Sequence, residues 1–139
     1  MKIEEQVLSI EQMRHLQELG VDTSDASMAY YNISRYNQPD KWVLGIANKE
    51  VVGTMLSNGI TEMESAYTIG DLIEKLPKHF YIKEAQISMT SINGSGAFQV
   101  WYDKVPKSEK SDGTINNALY KLLCWVAEKH KELLEVRNE

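Results

Sequence analysis

The feature that most narrows the fold is a run of six apolar residues near the end of the chain, Leu122-Leu123-Cys124-Trp125-Val126-Ala127. It lies within a stretch where Ile115, Ala118, Leu119, Leu122, Leu123, Val126, Leu133 and Leu134 recur at helical spacing, which predicts a helix over 114–135. A helix that is apolar all round must be covered on more than one side. The cover is either the rest of the domain or a second copy of the chain. A charged loop from Pro106 to Gly113 leads into this helix, with Thr114 or Asp112 as its cap.

The chain has enough material to build that cover. It runs to 139 residues, 42% of them hydrophobic, and a domain of this size buries roughly two thirds of the surface its unfolded form exposes. No repeat, low-complexity tract or linker divides it, so one domain spanning 1–139 is expected. Cys124 is the one cysteine, which excludes an internal disulfide. Together with the scattered His15, His79 and His130 it is too little for a zinc finger. No apolar run approaches the roughly 18 residues of a spanning helix. The opening MKIEEQVLSIEQ also has acids where a signal peptide has a basic flank. The expected location is cytoplasmic, away from membranes.

Local signals set the order of elements. Ser9 with Gln12 forms a capping box for a helix over 10–19, Leu8 and Met13 its hydrophobic staple, and Gly20 followed by Val21 its left-handed close on Leu16. Asp22-Thr23-Ser24-Asp25 reads as a turn. Ala26–Arg35 and Lys41–Ala47 are predicted strands that pair as a hairpin across Asn37-Gln38-Pro39-Asp40. Residues 48–66 read as a variable insertion with one strand at Val51–Leu56. Thr68 with Asp71 starts a short helix over 69–76, stapled by Tyr67 and Leu72 and ended by Pro77.

Residues 85–104 form the clearest hairpin. With Gly94-Ser95 at the turn centre, Ile92 faces Ala97, Ser91 Phe98, Met89 Val100, Ser88 Trp101 and Ile87 Tyr102. That register gathers Ile87, Met89, Phe98, Val100 and Tyr102 on one face and Ser88, Thr90 and Gln99 on the other, and a one-residue slip would mix them. The fold class that follows is α+β: an antiparallel sheet of about four strands, in the order helix, two or three strands, short helix, hairpin, long helix, with the helices on one face.

Charge and chemistry exclude more than they assign. The net charge is −5, from fifteen basic and twenty acidic residues, with the excess in the first half of the chain. Lys104, Lys107 and Lys110, like Lys129 and Lys131, are interleaved with acids, so nucleic-acid binding is disfavoured. Cys124 sits in the most apolar stretch, where a thiol is structural. The three histidines fall in separate elements without a second ligand one turn away. Glu18, Asp22 and Asp25 lack the alternating oxygen pattern of a calcium loop. Gly94-Ser95-Gly96 joins two strands, whereas a phosphate cradle joins strand to helix. No catalytic residue, cofactor or metal is therefore assigned. The aromatics remain: Tyr30, Trp42 and Tyr102 are candidates to line a pocket between sheet and last helix, and Trp101 and Trp125 are candidates for an interaction surface.

Three segments, VLSIEQMRHLQELGVDTSDASM, AYTIGDLIEKLP and ALYKLLCWVAEKH, together resemble a family of small uncharacterised bacterial proteins common in prophage-like and other mobile-element gene settings. Residues 36–66 depart from that pattern. The resemblance implies no activity, cofactor or catalytic residue. The expected function is that of a non-enzymatic accessory protein working through protein contacts, with a homodimer through the last helix or through the hairpin as a corollary. A small-molecule-binding or enzymatic domain using the aromatic pocket is the alternative.

Overall fold

A computed structural model describes residues 5–32, 42–47, 62–80, 83–84, 87–92, 97–102 and 114–135. The first helix, α1 (Ile10–Glu18), begins with the expected capping box. The Gln12 amide donates to the Ser9 hydroxyl at 3.2 Å, while the Ser9 amide donates to Gln12 Oε1 at 2.9 Å. Its other end closes at Gly20, whose φ is +91°. The Val21 amide bonds the Leu16 carbonyl and the Gly20 amide that of Gln17, the paired bonds of a Schellman close. Leu8, Met13, Leu16 and Val21 all enter the core.

Three strands follow: β1 (Met28–Asn32), β2 (Trp42–Ile46) and β3 (Glu62–Ala66), in an antiparallel sheet ordered β2-β1-β3. The β1–β2 hairpin is as expected, with Tyr31 opposite Val43 and Met28 opposite Ile46. Tyr31 also faces Met63 of β3. Gly45 admits the Tyr31 ring, since a Cβ there would lie 3.2 Å from its Cε2, and the Tyr31 hydroxyl donates to the Ile46 carbonyl. β3 falls in the stretch expected to be an insertion, whose predicted strand at 51–56 lies outside the described residues. Glu62-Met63-Glu64-Ser65-Ala66 holds no β-branched or aromatic residue; pairing with β1, not propensity, makes it a strand. Beyond it the Leu8 and Ile69 amides bond the Tyr67 and Gln6 carbonyls around a Val7–Thr68 bridge.

The second helix, α2 (Ile69–Lys75), has the Thr68–Asp71 capping box and gives way to extended backbone at Leu76, before Pro77. His79 lies in β4 (His79–Phe80), which pairs with β5 (Lys83–Glu84). The hairpin of β6 (Ile87–Ile92) and β7 (Ala97–Tyr102) keeps the predicted register at every pair from Ile87–Tyr102 to Ile92–Ala97. Its turn lies outside the described residues. Val100 and Tyr102 are buried while Ser88 and Gln99 on the other face are partly open.

The last helical stretch divides into α3 (Ile115–Lys129) and α4 (Glu132–Glu135), where one helix to 135 was expected. The backbone leaves helical geometry at His130, φ −140° and ψ 43°. The break falls in Glu128–Glu132, a polar stretch with no fully buried residue, so no apolar face holds the helix on course there. Thr114 takes the cap position, but its hydroxyl donates to Asn116 Oδ1 and leaves the amides uncapped. Asn116 in turn is buried and donates to the Val7 carbonyl, and Gln12 Nε2 donates to Asn117 Oδ1.

The fold is thus α+β. Among the described residues its strands pair as one three-stranded sheet and two two-stranded ladders rather than one sheet of about four. α3 is the hub: it packs on β7, α2 and α1, and Leu119, Leu122, Leu123 and Val126 are fully enclosed.

Gly20→Ala is expected to lose about 1–2 kcal/mol, the cost of holding an L-residue left-handed. A Cβ there would also meet the Lys131 ammonium, a flexible end that can move aside. Urea unfolding monitored by circular dichroism checks it.

Candidate functional site

The most concentrated polar chemistry lies beneath the turn between α1 and β1. Lys75 follows Leu72 by one helical turn and adjoins Leu76, both fully buried, so α2 carries its lysine inward with its apolar face. The Lys75 side chain is only 5% exposed. Its Nζ donates to the Asp22 carbonyl at 2.7 Å and pairs with Asp25 Oδ2 at 3.1 Å. The buried Tyr67 hydroxyl lies 2.6 Å from Asp25 Oδ1 and 3.0 Å from the Asp22 carbonyl. It has one proton, and the shorter, charge-assisted contact to the carboxylate takes it. One carboxylate, 40% exposed, thus satisfies a buried ammonium and a buried phenol together.

This arrangement anchors the turn; it does not prepare a reaction. An ammonium paired with a carboxylate is no free amine nucleophile. The Asp22 and Asp25 pair weighed as cation ligands is divided between other tasks. Asp22 accepts the Ser24 amide, and Ser24, through its backbone and hydroxyl, holds the Asp22 carboxyl below its ordinary value. Glu18 faces His15 at 3.8 Å. Among the described residues no cluster of three histidine, cysteine or acidic side chains could hold a metal ion. Sequence reading passed over Lys75, although a lysine between Leu72 and Leu76 on an amphipathic helix was a visible signal.

A second polar set joins α1 to β3. Glu64 receives Arg14 Nε at 3.3 Å and Gln17 Nε2 at 2.5 Å, and Gln17 also donates to Thr23. These contacts place α1 over the sheet face that carries Glu64 and Tyr30. The Tyr30 hydroxyl donates to the Leu8 carbonyl, and burial pushes that phenol up.

The aromatic candidates separate. Tyr30 and Trp42 share the α1 side of the three-stranded sheet, at alternate positions in register, and both are half-buried. Tyr102 belongs to the β6–β7 hairpin, is fully buried and donates its hydroxyl to the Pro77 carbonyl. Burial raises its phenol far above the ordinary value, so it stays protonated at neutral pH. Trp125 is 7% exposed and meets His130 edge-on, with ring centroids 5.0 Å apart, so its own chain encloses it. Trp101 is half-buried opposite Ser88. Cys124 is partly buried on α3 beside Tyr120, whose phenol is raised first by burial and then by that thiol. Lys104, Lys107 and Lys110 lie outside the described residues.

The exposed apolar surface lies elsewhere. Among the described residues the large hydrophobics left exposed are Val43, at 40%, Met63, at 45%, and Ile46, at 69%, all on the three-stranded sheet. Val43 and Met63 flank Tyr31 on the face turned away from α1. The six described positions of that face are Ala29, Tyr31, Val43, Gly45, Met63 and Ser65, none of them charged. No protein-family model, curated protein or solved structure matches this chain.

Two outcomes test the turn anchor. Asp25→Asn leaves the Lys75 ammonium buried beside a neutral amide and is expected to cost about 1–3 kcal/mol, at or below the range for breaking a buried pair because Asp25 is half open. Lys75→Met removes the buried charge and leaves a carboxylate that water can reach, so it costs less; equal losses in urea unfolding would contradict this account. Asp22 supplies the pH test. Its lowered folded value means that its contribution is complete above the ordinary aspartate pKa of about 3.9 and declines as pH falls through the folded value. Asp22→Asn, which keeps an acceptor for Ser24, is expected to flatten the acid limb of the stability curve below pH ~4.

Proposed function

We propose that this chain is a small non-enzymatic cytoplasmic protein that acts through protein–protein contacts made by its three-stranded sheet. One observation carries the reading: Val43, Ile46 and Met63, the exposed large hydrophobics among the described residues, all belong to that sheet. Val43 and Met63 stand on the uncharged face turned away from α1, on either side of the buried Tyr31, whereas Ile46, opposite Met28, is on the α1 side, so the proposed contact uses the face of Val43 and Met63. The last helix or the hairpin at 85–104 was the expected seat of such a contact. The helix packs on β7, α2 and α1 within the chain, and the exposed Val43 and Met63 turn the proposal to the sheet. A homodimer is the simplest form of the contact. The resemblance to proteins of prophage-like settings supports an accessory role in a mobile element, and this part of the reading rests on the sequence alone.

The test combines sedimentation velocity over a wide concentration range with affinity isolation from the native host, for the parent chain and for the variant Val43→Ser/Met63→Ser. The parent is expected to self-associate or to retain a specific protein, and the variant to weaken that association by at least about tenfold, as loss of more than 1.4 kcal/mol at an interface implies. The unfolding midpoint should fall only modestly, because Val43 and Met63 are 40% and 45% exposed and lose only part of a buried side chain's contribution. A parent that stays monomeric and retains nothing that the variant loses overturns the proposal.

A further inference from the structure

We draw no further inference here: the strongest candidate, the side-chain cluster of Tyr67, Lys75 and Asp25 beneath the turn between α1 and β1, carries nothing beyond the anchoring already described, because its hydroxyl and ammonium are engaged by Asp25 and the Asp22 carbonyl and no independent observation points to a ligand.

Discussion

Burial of α3 is the interaction on which the remaining structure depends. Its apolar circumference cannot be left in water, and the chain meets that demand with β7, α2 and α1. Fully burying a leucine or valine side chain is worth about 1.5–3 kcal/mol. Leu119, Leu122, Leu123 and Val126 together therefore outweigh any single cap or ion pair in the molecule. The other elements read as consequences. The hairpin presents Val100 and Tyr102 to this helix, α2 presents Leu72 and Leu76 to the same core, and α1 adds Met13 and Leu16.

The buried lysine shows how a polar group is reconciled with that core. α2 is only two turns long and must face α3 with its apolar side, which leaves Lys75 nowhere to point but inward. The cost of taking an ammonium out of water is offset by bringing Asp25 to it, and Asp25 is available because the close at Gly20 turns the chain back over α2. The Schellman motif of one helix thereby determines whether the lysine of another has a partner.

What could be read from the sequence was what is decided locally. Ser9 and Gln12, Thr68 and Asp71, and Gly20 with Val21 each carry their instruction within four residues, and each capping arrangement was legible. The β6–β7 register was legible as well, because only one alignment separates apolar from polar side chains across two strands. What escaped was decided at long range. β3 is a polar pentapeptide that becomes a strand only because β1 offers it backbone partners, and the Lys75 cluster joins residues about fifty positions apart. The break at His130 falls in a polar stretch without a fully buried residue, where helical spacing alone gives no warning. The aromatic candidates fared according to the same distinction, since periodicity can put Trp125 on a helix without saying which neighbour will cover it.

The hydrogen bonds from Gln12 to Asn117 and from Asn116 to Val7 span 105 and 109 residues of chain. They bind α1 and the segment before it to the start of α3, so these distant parts of the chain are held as one structural unit. Contacts of such separation impose their loop-closure entropy before they return any stability. During synthesis, at about 5–20 residues per second, α1 has no permanent neighbour in α3 until about a hundred further residues have been made. Folding of this domain in that sense waits for α3, and until then the apolar side of α1 is left for chaperones or for neighbouring chains to meet.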